Sequence, residues 1–104
     1  MRTDDIRVWG KNGWTFLHAI GFTYPKEPTS VEKQRYQAFF DALQHVLPCP
    51  RCQAHYAAQF KRRPSTTFAS RETLSRWLVD IHNAVNRTRG QTEYTYEELS
   101  LIHI

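Results

Sequence analysis

The chain has 104 residues, 40% of them hydrophobic and 13% aromatic, enough for one packed core and too few for two, so a single domain over 1–104 is expected and a disordered chain is excluded. The net charge of +4 favours an anionic partner, but the basic residues are scattered; the runs Lys61-Arg62-Arg63 and Arg87-Thr88-Arg89 read as solvated faces, so no nucleic-acid partner is expected. No apolar stretch approaches the roughly 18 residues of a membrane span, and Met1-Arg2-Thr3-Asp4-Asp5 opens with acids, unlike a signal peptide, so the expectation is a soluble protein with no membrane partner.

The first periodic segment runs from about Ile6 to Phe22, with Trp14, Leu17, His18 and Gly21 on one helical face and Asp4 or Asp5 as its cap. Tyr24-Pro25-Lys26-Glu27-Pro28-Thr29 follows, where two prolines forbid regular helix. Thr29 or Ser30 then starts a second helix, carried by Tyr36, Phe39, Phe40, Leu43, Val46 and Leu47 and ended by Pro48. Pro50 suits a first helical position, so a third helix is predicted from about Pro50 to Arg62, stopped by Pro64. Ser70 caps a fourth, with Leu74, Trp77, Leu78, Ile81 and Val85 as its apolar stripe, His82, Asn83 and Asn86 as a polar group beside it, and Gly90 as its stop. A short fifth helix spans about Tyr96 to Ile102. With no alternating runs and no glycine-rich phosphate loop, the fold class is all-α, a four-helix bundle with a short fifth helix.

Cys49 and Cys52 are the only cysteines. The loop between them is too short for a disulfide there to restrain the unfolded chain, so the pair serves chemistry rather than architecture. At a helix start the free backbone N–H groups and the positive end of the helix dipole favour a thiolate, with Arg51 adding to the effect. Two readings stay open on spacing alone. One is a redox dithiol that cycles through a disulfide. The other is a zinc-stabilised helical binding module in which Cys49 and Cys52 join two histidines from among His45, His55 and His82. A thioredoxin-like setting is excluded by the helical flanks.

Four separated motifs, in order, resemble the Erv/ALR family of FAD-linked sulfhydryl oxidases. They are Trp9-Gly10-Lys11-x-x-Trp14-x-x-Leu17-His18; Tyr24-Pro25-x-x-Pro28-Thr29; Phe39-Phe40-x-x-Leu43-x-x-x-Leu47-Pro48-Cys49-x-x-Cys52-x-x-His55-Tyr56; and Ser70-Arg71-x-x-Leu74-x-x-Trp77-Leu78-x-x-x-His82-Asn83-x-Val85-Asn86. The resemblance implies a homodimeric enzyme that holds FAD at the mouth of the bundle, oxidises thiols of a protein substrate such as a small thioredoxin-like carrier, and passes the electrons to O2 with formation of H2O2. It implies that Cys49 meets the substrate and Cys52 faces the flavin. By position, Gly10, Lys11, Trp14, His18, His55, Trp77, His82, Asn83 and Asn86 fall on cofactor contacts, and no metal is implied.

The sequence departs from the family pattern in two places. Where members carry an aliphatic residue and then a lysine, this chain has Arg89 and Gln91, so Arg87 or Arg89 is the expected phosphate contact, since guanidinium suits phosphate oxygens. There is also no second cysteine pair to act as a shuttle, which implies direct action on the partner's dithiol. Such minimal cores resemble those of large DNA viruses, placing the protein in the host cytoplasm or virion, with the mitochondrial intermembrane space as the alternative.

Overall fold

The computed structural model describes residues 2–102; Met1 and the last two residues of the expected 1–104 domain lie outside the described residues. Five helices appear in the expected order, α1 Ile6–Thr23, α2 Ser30–Val46, α3 Pro50–Lys61, α4 Arg71–Thr88 and α5 Tyr96–Ile102, and no strand among the described residues. Each start is written in a capping side chain. Asp5 accepts the Arg7 N–H for α1, while Thr29 with Glu32 and Ser70 with Thr73 form reciprocal caps for α2 and α4.

The stops are equally local. Tyr24, one residue before Pro25, adopts the extended conformation that the proline ring demands, so α1 runs on to Thr23. Gly90 has φ +65°; with it, Gln91 N–H donates to Asn86 C=O at 2.8 Å and Gly90 N–H to Arg87 C=O at 3.3 Å. This is the Schellman arrangement, and it needs a residue free to enter the left-handed region.

The helices pair as α1 with α4 and α2 with α3, and α5 rests on α4. What joins the two pairs is an aromatic core centred on Trp77 of α4, which is 6% exposed. Phe40 of α2 meets its ring edge-on at 6.0 Å, Tyr56 and Phe60 of α3 pack at 6.3 and 6.1 Å, and Phe68 of the α3–α4 connection at 6.3 Å. Such tilted and edge-on contacts are the favoured arrangements of aromatic quadrupoles. The buried hydroxyls are satisfied by backbone: Tyr24 donates to Phe68 C=O at 2.7 Å and Tyr56 donates to Phe40 C=O. Arg71 Nε donates to Tyr24 C=O at 2.6 Å, tying the end of α1 to the start of α4.

The α1–α4 contact is close because Gly21 has no side chain. A Cβ there would lie 2.7 Å from Leu78 Cδ1 and 3.3 Å from the Ser75 backbone. Gly21→Val is expected to lower the unfolding free energy by about 1–3 kcal/mol through overpacking, read as a reduced denaturant midpoint with an unchanged helical far-UV spectrum. An unaltered midpoint would show that α1 and α4 have room to separate.

Candidate active site

Pro48 ends α2, and Cys49, in extended conformation with φ −152° and ψ 118°, is the N-cap of α3, with Pro50 in the first turn. The Cys49 Sγ accepts the Cys52 N–H at 3.2 Å, where an oxygen of Ser or Asp ordinarily sits. The outer sulfur is thus held at the positive end of α3 by a backbone donor. Cys52, one turn in, is half-buried and, like Cys49, a free thiol. Burial first, then the hydrogen bond and charge of Cys49, push its thiol up to about 12, while the charges of Arg89 and Arg51 pull the other way. The two sulfurs are therefore unequal: Cys49 is set at the helix end, and burial holds the Cys52 thiol well above its ordinary range.

Both cysteines open onto a cleft of about 830 Å³ between the helix pairs, within the range of small-molecule and cofactor sites. Its walls are Ile6, Trp9, Trp14 and Leu17 of α1, Leu43 and Leu47 at the end of α2, Ala54, His55 and Tyr56 of α3, and Leu78, Ile81 and Val85 of α4. Gly10 and Gly13 leave part of the α1 wall without side chains. The charged members of the lining are Arg51 and Arg89, with no carboxylate among them.

The structure divides the candidate residues into groups. Gly10, Trp14, Cys49, Cys52, His55 and Arg89 line the cleft. His18 and His82 are not among its lining residues and pack against Trp14. Trp14 stacks on His82 at 4.3 Å with 7° between planes, and His82 Nδ1 shares a hydrogen bond of 2.8 Å with His18 Nε2. Burial drives the His82 imidazole down to about 4, so it is neutral near pH 7. Trp77 belongs to the aromatic core rather than to the cleft wall, and Lys11 is exposed outside the lining.

The two asparagines of α4 are occupied by the chain itself. Asn83 Nδ2 donates to Tyr94 C=O at 2.7 Å and its Oδ1 accepts Tyr94 N–H at 2.8 Å, while the buried Asn86 donates to Thr92 C=O at 2.9 Å. Their cost inside a helix is thereby explained by the strap they hold against α4. Arg87 and Arg89 also separate: Arg87 is paired with Glu93 at 3.0 Å outside the cleft, whereas Arg89 is within it.

Periodicity marks Leu78, Ile81 and Val85 only as a core stripe, because it does not reveal where along a helix the core gives way to a cleft. Trp9 and Gly13, four residues apart on α1, carried the signal of a shared face. The two-cysteine, two-histidine zinc set is not assembled, since among the described residues no three His, Cys, Asp or Glu side chains gather in a metal-binding group.

Residues 11–102 match the profile of the Erv1 / Alr family. The chain belongs to that family. It is 45% identical over 92 residues to the "Probable FAD-linked sulfhydryl oxidase" of Acanthamoeba polyphaga mimivirus, covering 86% of this chain and 64% of that protein. It is 32% identical over 83 residues to the mitochondrial FAD-linked sulfhydryl oxidase ERV1 of Saccharomyces cerevisiae, covering 80% and 43%. The chain thus spans less than two thirds of the length of these relatives. Among solved structures it is similar to the yeast Erv1 core, with a TM-score of 0.84 at 27% identity over 95% of this chain and 83% of that one. It is also similar to the FAD binding domain of yeast Erv1, with a TM-score of 0.84 at 28% identity over 93% and 91%. No helix among the described residues is long and apolar enough to cross a membrane.

The depressed His82 has a consequence for stability. The unfolded chain takes up this proton near pH 6.5 and the folded chain only near pH 4, so folding stability falls as pH drops through that window. His82→Gln is expected to lack this group's share of the fall. Denaturant midpoints of both proteins at pH 7 and pH 5 check it, and parallel midpoints would refute the buried neutral imidazole.

Proposed function

We propose that this chain is a single FAD-binding domain with sulfhydryl oxidase activity, forming disulfides in a protein substrate through Cys49 and Cys52. The observation that carries the reading is a half-buried dithiol, Cys49 capping α3 and Cys52 one turn further in, at the edge of a large apolar cleft in an Erv1 / Alr chain.

The cleft suits a dinucleotide with a flat ring system. Apolar and aromatic walls offer ring surface, the glycines of α1 leave room for close approach, and Arg51 and Arg89 offer cations to phosphate without a competing carboxylate. Gly10, Trp14, Cys52, His55 and Arg89 would hold FAD directly, with His18 and His82 packed against Trp14. When bound, FAD supplies a two-electron acceptor for the dithiol that O2 can regenerate, giving H2O2.

The protein's own steps concern sulfur. A substrate thiolate attacks Cys49 of the Cys49–Cys52 disulfide, the new bond forms at Cys49 Sγ, and Cys52 leaves with the electron pair. A second substrate thiolate then displaces Cys49, so the substrate has lost two electrons and the enzyme pair has gained them. The placement of the two cysteines on α3 supports this order. Cys49 stands at the helix end beside the exposed Pro48 and Pro50, and Cys52 lies further in. The chain acts as a homodimer, in which exposed apolar side chains such as Val8, Phe16, Val31 and Phe39 are the candidates for cover. The setting is the host cytoplasm or virion, a reading supported by likeness to a viral protein, with the mitochondrial intermembrane space as the alternative, since the yeast relative is mitochondrial; the substrate is a small dithiol carrier.

The purified protein is expected to be yellow with releasable FAD and to consume O2 with dithiothreitol. Cys49→Ser and Cys52→Ser are each expected to lower that rate by at least about 100-fold, as removal of a nucleophile does, with a changed visible flavin spectrum mainly for Cys52→Ser. A colourless protein, or full turnover by either variant, would overturn the assignment.

A further inference from the structure

We propose that Val46, with Pro48 and Pro50, forms a docking collar beside Cys49 for an extended segment of the substrate protein that carries an apolar side chain about three residues from its reactive cysteine. This role rests on the reading of Cys49 as the sulfur that meets substrate.

Val46 is the last residue of α2 and is 66% exposed. Its neighbours on that turn are used inward, Leu43 in the core and Leu47 in the cleft lining. An exposed β-branched side chain gives the helix neither propensity nor packing. Single exposed apolar residues are common, and what sets this one apart is where it stands. The exposed Pro48 and Pro50 flank Cys49, and Val46 is three residues before it, so the two Cα atoms lie within about 11 Å. An extended peptide covers that distance in about three residues.

The collar is also fixed in place. Each proline holds its own φ, and Gln53 reaches back from α3. Its Nε2 donates to Leu47 C=O at 2.8 Å and to His45 C=O at 3.4 Å, and its N–H donates to Cys49 C=O at 2.9 Å. The turn bearing Val46 is thereby tied to the start of α3, and little ordering remains to be done on binding. The N–H of Cys49, itself in extended conformation, meets no acceptor among the described residues, which leaves a main-chain donor for a segment laid alongside.

Charge and access decide what fits. Residues 42–71 include no carboxylate, and Arg51 is the charged residue nearest Cys49 in sequence, so the surface has no acid to pair with a basic segment and favours a neutral or acidic one. A second copy of the chain seated on Val46 would crowd the approach to Cys49. A substrate, by contrast, has to touch this rim, because its sulfur must come to within about 2 Å of Cys49 Sγ for the mixed disulfide to form.

The test uses the full chain loaded with FAD and two synthetic dithiol peptides, identical except for Leu or Ser three residues from the first cysteine. The wild-type kcat/KM for the Leu peptide is expected to exceed that for the Ser peptide about tenfold, mainly through KM, since burying one aliphatic side chain is worth about that factor. Val46→Ser removes the preference and Val46→Leu keeps it, while dithiothreitol, too small to reach the collar, is oxidised equally by all three. A second readout needs no flavin turnover. In Cys52→Ser protein the Cys49 thiolate displaces thionitrobenzoate from single-cysteine forms of the same peptides, the Cys49–peptide bond forming as the thionitrobenzoate thiolate leaves, and the rates should show the same preference and the same loss with Val46→Ser. A wild-type chain inert toward dithiothreitol would sink the oxidase reading and leave this exchange measurable. Equal rates for the two peptides with wild-type protein, or a preference that survives Val46→Ser, would overturn the collar. So would dissociation of a dimer by Val46→Ser, which would make the face a contact between copies.

Discussion

The packing of four aromatic rings around Trp77 is the constraint on which the remaining geometry depends. Phe40, Tyr56, Phe60 and Phe68 come from α2, from two turns of α3 and from the loop into α4. This core, together with Tyr24 packed on Tyr36 of α2 at 4.6 Å, holds the α2–α3 pair against the α1–α4 pair, because the helices meet chiefly within those pairs. The rings also set the depth of the cleft. They fill one end of the space between the pairs, and where they stop, the smaller side chains Leu78, Ile81 and Val85 leave a gap that Trp14 and Cys52 border.

At that gap, the same short segment ends one helix, starts the next and carries the chemistry. Pro48 terminates α2, Cys49 caps α3 and Pro50 opens it. A sulfur in the capping position does structural work for the helix and is at the same time presented at its electropositive end. Three residues later Cys52 falls on the inner face, because helical spacing carries positions three apart toward the same side, one turn deeper. The inequality of the two thiols is therefore a property of their register on α3.

Much of this was legible in the residues. Prolines and capping residues located the four long helices to within about two residues, because those signals act within one turn and need no tertiary partner. The dithiol at a helix start was likewise local. What the sequence left open was the direction in which side chains are used. Trp77 and Trp14 look alike at helical spacing, yet one is central to the core and the other forms a wall. Asn83 and Asn86 signalled an unmet need for hydrogen bonds, and only the path of residues 92–94 shows that the backbone answers it. Arg87 and Arg89 are two positions apart and so point to different sides. Glu93, which decides between them by pairing with Arg87, lies beyond the helix stop at Gly90.

The position of the cleft has a thermodynamic corollary. Its lining draws on α1, α2, α3 and α4 together, so an occupant touches every long helix and bridges the seam between the two pairs. An occupant of that kind binds the assembled fold and finds no equivalent in the separated helices. Its concentration divided by its dissociation constant then enters the folding equilibrium logarithmically. Supply of the ligand in the cell would act as a quality gate, sparing chains that have been filled and leaving unfilled ones nearer to unfolding and proteolysis.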